Sequence, residues 1–330
     1  MSILFIFTGG TIGSTVGESC ISLDGNKPRA LIEAYEKKYG SIGEYDVLAP
    51  YSMLSENNTG ETVKQLAETV TENIGRGYDG IIVAHGTDTL QYTAAALGYA
   101  VGNDSIPVCV VSSNFPLDDE RANALDNLYG AVRIISDRLG RGVFVPYKNT
   151  NGTLRVHRGT RLLSSRAFSD DVDSVCGKFF GEFDCNGKFL PNAQYSENKD
   201  EIATFPCENL KSDCPEILRL SSYVGMTYPT LDEQVKCVIF ESYHSGTVNT
   251  LSDKAEKFFL DAENKNIPVF ITGAPDGKSY ESTLKYGEWG CIPVSDIAPI
   301  ALYMKLWLAI SNNINPVEIA GKSLGGDIII

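Results

Sequence analysis

The stretch that decides the fold is Ile3-Leu4-Phe5-Ile6-Phe7-Thr8-Gly9-Gly10-Thr11-Ile12-Gly13-Ser14. Its five consecutive apolar residues are typical of a strand that is buried in a parallel sheet. Two glycines and two threonines follow directly. Because open sheets of this kind bind ligands outside the carboxyl ends of their strands, we expect Thr8 and Thr11 to lie at a functional edge.

A second stretch repeats this pattern: Tyr78-Asp79-Gly80-Ile81-Ile82-Val83-Ala84-His85-Gly86-Thr87-Asp88-Thr89. An apolar strand again ends in a glycine and small hydroxyl residues. Asp88 and its flanking threonines can cap the helix that follows. Since parallel strands open on the same edge of a sheet, we expect Thr11 to lie near Thr87 and Asp88.

Strands and helices alternate along the chain, which indicates an α/β fold. With 330 residues and 43% apolar content, the chain suits two domains better than one core. We predict a larger N-terminal domain over residues 1–190, with a doubly wound, mainly parallel sheet and flanking helices. A polar linker over 191–215 and a smaller C-terminal α/β domain over 216–330 complete the predicted architecture.

Some local expectations can be compared with the structure. Residues 14–28 are predicted to form a loop directly after the first strand, where a lid could be. Residues 158–213 are polar with weak strand signals, and we expect them to close the first domain and form the linker. Helices are predicted over 28–39, 60–76 and 119–136, and a strand hairpin over 142–146 and 152–157.

Composition excludes several classes of ligand. The formal net charge of −14 disfavours nucleic acid. The apolar runs are too short to span a bilayer. The eight cysteines form no C-x-x-C pair and the three histidines are far apart, so we expect no metal and no cofactor. With no recognisable secretory signal, reduced thiols and a cytoplasmic location are expected.

The first turn can be compared with two kinds of site. It lacks the G-x-G-x-x-G spacing of a dinucleotide site and the lysine of a P-loop. A threonine nucleophile needs a neighbour that removes its proton, and Thr87 and Asp88 follow a second strand. The glycines let the backbone approach a small substrate, and backbone N–H groups can stabilise an oxyanion. The pattern favours a nucleophilic site, although each element alone is also typical of a plain turn or helix cap.

Two segments, Thr8-Gly9-Gly10-Thr11-Ile12-Gly13 and His85-Gly86-Thr87-Asp88-Thr89, resemble the signature segments of the bacterial-type L-asparaginase family. The resemblance covers most of the chain and is to the cytoplasmic type. The segment Ser55-Glu56-Asn57 is similar to the family's substrate loop. Residues 112–117 match the family's Gly-Ser-Gln-x-Pro-Leu segment only in part, with Ser113 at its serine.

The resemblance implies a double displacement on a small amide. Thr11 would attack the side-chain amide of L-asparagine, ammonia would leave, and water would resolve the acyl-enzyme with help from Thr87. Asp88 and Glu56 would hold the α-ammonium group and Ser55 the α-carboxylate, because a zwitterion needs an anion and donors in fixed places. The predicted substrate-binding set is Gly10, Ser55, Glu56, Gly86 and Ser113.

The chain departs from the family at the site. A lysine follows the Arg-Gly-x-Arg segment in the family. Here Arg166 takes that position if two residues are inserted, and Ser164 takes it if none are. Arginine stays charged and cannot act as a neutral base, but Arg166 could orient Thr87 or Asp88 electrostatically. The family's lid tyrosine is also missing, and Cys20 lies near its place.

The second domain carries a third similarity. Residues 242–249 resemble the family's Tyr-Gly-x-Gly-Asn turn, with His244 in place of a glycine. In the family, this domain of a partner subunit completes the site, which implies a homodimer or homotetramer. Residues 280–282 follow a turn that could also approach the neighbouring site.

Several functions stay open from the sequence. The first is L-asparagine hydrolysis. The changed site residues also fit a different small amide, such as glutamine, D-asparagine or an N-substituted amide of aspartate. A non-catalytic amino-acid-binding protein is the third. The related amidotransferase that acts on charged tRNA is disfavoured, because it carries an extra β-domain before its Thr-Gly-Gly-Thr segment and because this chain is acidic.

Overall fold

The opening strand lies second from one edge of an eight-stranded sheet. The protein is described by a computed structural model over residues 1–10, 14–16, 21–23, 27–103, 105–201, 204–273 and 280–329, with the backbone alone for 14–16, 21–23, 27 and 28. The strands are β1 (Ser2–Phe7), β2 (Ser14–Val16), β3 (Ile21–Leu23), β4 (Glu44–Leu48), β5 (Gly80–Ala84), β6 (Val108–Val111), β7 (Val143–Lys148), β8 (Leu154–Arg158), β9 (Gly181–Phe183), β10 (Phe189–Pro191), β11 (Ile217–Ser221), β12 (Cys237–Glu241), β13 (Val269–Thr272) and β14 (Ile292–Pro293). The helices are α1 (Lys27–Tyr39), α2 (Gly60–Asn73), α3 (Leu90–Val101), α4 (Ala124–Ser136), α5 (Asp253–Asn264), α6 (Glu281–Glu288), α7 (Pro299–Ser311) and α8 (Pro316–Ile319).

The larger sheet is doubly wound and mainly parallel, as predicted. Its order is β10-β9-β8-β7-β6-β5-β1-β4, and the strands from β4 to β7 run parallel. Alternate side chains of β1 enter different cores: Ile3 and Phe5 pack with α1 and α4, whereas Leu4 and Ile6 pack with α2 and α3. Helices therefore cover both faces, which explains the uninterrupted apolar run of β1.

A smaller, wholly parallel sheet with the order β11-β12-β13-β14 forms the predicted second α/β unit. Helices α5 and α6 cover its outer face. Its inner face packs on α7, which also contacts α3 of the first unit. One apolar core therefore joins the two sheets. The domain limits at residues 190 and 215 stay a prediction.

Several local predictions differ from the structure. The loop prediction for 14–28 is wrong in part, since Ser14–Val16 and Ile21–Leu23 pair as an antiparallel ribbon. The weak strand signals within 158–213 hide β9 and β10, whose three residues each are too few for a clear alternation. The hairpin prediction is confirmed, because β7 and β8 pair antiparallel.

The helix predicted over 119–136 begins only at Ala124. Residues before it form a turn in which Asn123 exchanges hydrogen bonds with Asn114 at 3.0 and 3.1 Å. This side-chain pairing competes with helical backbone bonds, as is usual for asparagine. Within the described residues, no helix is both long and apolar enough to cross a membrane.

A buried ion pair fixes α7 to the carboxyl-terminal segment. Lys305 and Asp327 are both fully buried, and their charged groups lie 2.5 Å apart. The Tyr99 hydroxyl of α3 also donates to Asp327 at 3.0 Å, and the Lys305 ammonium donates to the carbonyl of Lys322 at 2.6 Å. These bonds compensate the charges for the loss of water.

We predict that Lys305→Met lowers the free energy of unfolding by roughly 3–5 kcal/mol, because it leaves Asp327 buried without its cation. Denaturant titration measures the change. Lys285→Met is the matched control, since Lys285 pairs with Glu288 at the surface and its loss should cost less than about 1 kcal/mol. Equal effects of the two substitutions would contradict the prediction.

Candidate functional site

The two signature turns meet at the carboxyl edge of the larger sheet. Strands β1 and β5 are parallel neighbours, and Gly10 lies directly against Gly86. A Cβ added to Gly10 would come within 2.4 Å of the Gly86 nitrogen, and Gly10 has a φ of +76°. Only glycine fits both restrictions. The expectation that these turns share one edge is confirmed by this contact.

Thr8 holds the two strand ends together. Its hydroxyl donates to the carbonyl of Ala84 at 2.9 Å, and its backbone N–H donates to the same oxygen. The carbonyl of Thr8 accepts from the N–H of Met53, which brings residues 51–54 alongside the first turn. Thr8 is therefore the supporting neighbour that the sequence predicted. Thr11 and Cys20 lie outside the described residues.

The predicted substrate loop reaches the second turn through Ser55. Ser55 is 4% exposed, and its hydroxyl lies 3.3 Å from the Asp88 carboxylate, to which it donates. A Cβ on Gly86 would come within 2.4 Å of the Ser55 hydroxyl oxygen. The site therefore brings together Gly10, Gly86, Ser55 and Asp88. Asp88 and Glu56 are exposed and Thr87 is half-buried, so polar groups face the open edge.

His85 anchors the second turn from within the protein. The carbonyl of Gly86 lies 2.7 Å from its Nδ1, and since a carbonyl only accepts, Nδ1 carries the hydrogen. Nε2 is then an acceptor for the amide of Asn58 at 3.1 Å and the hydroxyl of Thr93 at 3.0 Å. Burial lowers the pKa of His85, so the ring is neutral near pH 7.

Thr89 completes the link between the two loops. Its hydroxyl donates to the carbonyl of Ser55 at 2.9 Å and accepts from Asn58 at 2.9 Å. The sequence analysis quoted His85 and Thr89 only within a signature and did not assign this scaffolding role. A lone histidine at the end of an apolar strand is a signal for it, but its partners lie 27 and 8 residues away.

Ser113 lies at the end of β6, the strand next to β5. It is buried, and its hydroxyl donates to the carbonyl of Phe115 at 2.6 Å. Its side chain therefore stabilises its own turn. The substrate-binding role predicted for Ser113 stays a prediction.

Arg166 is directed away from the predicted partners. Its guanidinium is 65% exposed and donates to Asp173 at 2.8 Å, not to Thr87 or Asp88. The cause is local, because the N–H of Leu163 bonds to the carbonyl of Asp173 and carries the segment alongside that residue. The alternative position, Ser164, lies 3.5 Å from the guanidinium of Arg219.

The second sheet presents its own polar edge. His244 is exposed, and Tyr280 is 44% exposed at the start of α6. A cavity of about 370 Å³ lies between this edge and the first unit, and Ser164, Cys176, Glu241 and Ser295 line it in part. Among the described residues, no group of three or more His, Cys, Asp or Glu side chains could hold a metal ion.

We predict that Gly86→Ala destabilises the protein by about 1–3 kcal/mol, because the new methyl group overlaps Ser55. Thermal unfolding measures the loss, and a crystal structure of the variant should show the Ser55–Asp88 hydrogen bond broken. Gly287→Ala in α6 is the control, since its Cβ would meet nothing within 4 Å. An unchanged Ser55–Asp88 contact in Gly86→Ala would contradict the prediction.

Comparison with known proteins matches this architecture. The L-asparaginase I of Vibrio cholerae superposes with a TM-score of 0.78 at 22% identity, covering 100% of this chain and 99% of that one. The thermostable L-asparaginase of Thermococcus kodakarensis gives a TM-score of 0.77 at 21% identity and 99% coverage of both chains. At these identities the likeness shows the fold alone.

Curated relatives carry another name, that of one component of the glutamyl-tRNA(Gln) amidotransferase. The protein of this name from Methanobrevibacter smithii is 26% identical over 99% of this chain and 76% of its own length. Its counterpart from Methanosphaera stadtmanae is 26% identical over 82% of this chain and 63% of its own length.

The family model is more specific than either comparison. The model for the N-terminal part of asparaginases matches residues 2–183, which is more than half of the chain. This range includes both signature turns and the loop that carries Ser55. The chain therefore belongs to the asparaginase family, whose members are amidohydrolases that act on amide C–N bonds.

Proposed function

We propose that the protein hydrolyses L-asparagine to L-aspartate and ammonia. The observation that carries the proposal is the convergence of Gly10, Gly86, Ser55 and Asp88 at one sheet edge. This group places a backbone turn, a hydroxyl donor and a carboxylate around one opening. A short amino-acid amide needs these three kinds of contact in fixed positions.

In the proposed mechanism, Thr11 is the nucleophile. Its oxygen forms a bond to the amide carbon, the carbon–nitrogen bond breaks, and ammonia leaves with the transferred proton. Water then cleaves the resulting ester and restores the threonine hydroxyl. Thr87 assists these proton transfers, and backbone N–H groups at the glycine turns stabilise the negative oxygen.

Substrate binding is assigned to the polar groups around this turn. Asp88 and Glu56 bind the α-ammonium group, and the Ser55 hydroxyl donates to the α-carboxylate. Ser55 already contacts Asp88, which supports the assignment of both residues to one binding site. The neutral, buried His85 acts as scaffold and moves no proton. No cofactor takes part in this proposal, and the proposed location is the cytoplasm.

The second candidate is a related activity on glutamine within an amidotransferase. The specific observation in its favour is the similarity, over nearly the whole chain, to a component of the glutamyl-tRNA(Gln) amidotransferase. The acidic charge of −14 supports the first candidate, since it disfavours contact with tRNA.

We predict that the wild type releases ammonia from L-asparagine and that Thr11→Ala reduces kcat by roughly 10³-fold or more, because it removes the nucleophile. Thr69→Ala on the surface of α2 should leave the rate unchanged. A panel of L-glutamine, D-asparagine and an N-substituted amide of aspartate, ranked by kcat/KM, identifies the preferred amide. Faster turnover of L-glutamine than of L-asparagine favours the second candidate, and equal rates for wild type and Thr11→Ala contradict the mechanism.

We also propose that the protein acts as a homodimer or a tetramer of such dimers. The carboxyl edge of the second sheet exposes large apolar side chains: Tyr223 is 54%, Val224 94%, Leu251 96% and Leu284 68% exposed. These side chains belong to the connections that follow β11 and β12 and to helix α6. Apolar groups exposed in such a group favour contact with another protein surface.

We predict that the double substitution Val224→Asp and Leu251→Asp converts the wild-type dimer to a monomer and lowers ammonia release, because it places charges in the interface. Sedimentation velocity measures the oligomer. Leu190→Asp is the control on β10, where Leu190 is 39% exposed. A wild type that is monomeric and fully active would contradict the proposal.

A further inference from the structure

Arg219 connects the second domain to the start of helix α3. It lies on β11, where its neighbours Leu218 and Leu220 pack against the outer core, so Arg219 is on the inner face. Its Nη1 donates to the hydroxyl oxygen of Tyr92 at 2.7 Å, and its Nε donates to Glu241 at 2.6 Å. Arg219 is therefore bound to residues of both domains.

Both N-terminal contacts of Arg219 adjoin the candidate site. Tyr92 is the third residue of α3, four positions after Asp88, so the two lie about one helical turn apart along the chain. Ser164, whose hydroxyl lies 3.5 Å from Nη2, is one of the two positions that can correspond to the family's lysine. The amide of Gln91 donates to Ser165 at 2.6 Å, which holds this segment beside the same helix start.

The charge at this location comes from Arg219. Its side chain is 24% exposed, whereas Arg166 is mostly exposed and paired with Asp173. In the described part of the chain, the titratable groups packed around the guanidinium are Tyr92, Glu241 and Tyr303 of α7. Burial acts to lower the pKa of Arg219, but Glu241 and Tyr92 outweigh burial and raise it, so the group stays charged.

We propose that Arg219 is a positioning residue of the candidate site and supplies, from the second domain, the positive charge that a lysine supplies in other family members. The inference rests on the proposed amidohydrolase function. Arg219 acts through Tyr92 and Ser164, which it holds against the start of α3. Its charge also favours the ionised form of Asp88, while Glu241 offsets part of that charge.

Opposite charge changes at Arg219 and Glu241 test the inference. Arg219→Gln removes the cation, so the acid limb of the kcat/KM profile should move to higher pH and kcat should fall about tenfold, with little change in KM. Glu241→Gln removes the offsetting anion, so the acid limb should move to lower pH. Arg219→Lys keeps the charge and should restore most of the wild-type profile. A purely structural role would not give shifts of opposite sign.

The matched control is Arg133→Gln on α4. Arg133 forms the same kind of group, since it donates to the Tyr129 hydroxyl and pairs with Asp137, but it packs on the other face of the sheet. It should leave the pH profile unchanged. Circular dichroism and thermal unfolding identify variants that fail to fold, in which case Arg219→Lys and Glu241→Gln carry the test.

The outcomes separate the two proposals. If the wild type hydrolyses amides and neither Arg219→Gln nor Glu241→Gln shifts the profile, or both shift it in the same direction, the inference about Arg219 is wrong and the proposed function stands. If the wild type hydrolyses no amide, both are wrong.

Discussion

The contact between Gly10 and Gly86 is the constraint on which the candidate site depends. Two parallel neighbouring strands bring their turns to one edge, and the missing side chains let the two backbones touch. Ser55 then fits against Gly86 because no Cβ occupies that space. A rigid core fixes each part from below, since Thr8 joins the strand ends and His85 holds the second turn. The open polar groups are thus preorganised by buried ones.

Much of this arrangement could be predicted from the sequence. The apolar run of β1 and the repeated strand-and-turn pattern indicate a buried parallel sheet, and the shared edge follows from the geometry of such a sheet. The hairpin of β7 and β8 was also predicted correctly. These features depend on residues close together in the chain, for which periodicity and turn chemistry are informative.

Other features depend on contacts between distant residues. Strands β9 and β10 have three residues each, so pairing and not pattern defines them. Arg166 was expected at the site because of its place in an alignment, but the backbone bond between Leu163 and Asp173 turns it toward Asp173. Arg219 lies 127 residues from Tyr92 in the chain, and the sequence contains no local signal that the two side chains meet.

The position of α7 has a consequence for how the chain can be divided. This helix packs on the inner face of the smaller sheet and also on α3 of the larger one, so its apolar side chains belong to both cores. Lys305 and Asp327 bury opposite charges in the same region, and the tyrosine of α3 that bonds to Asp327 comes from the first unit. The two sheets are therefore separate in topology but not in folding energy. Neither half contains a complete set of its own contacts, and the chain should unfold as one cooperative unit and not domain by domain.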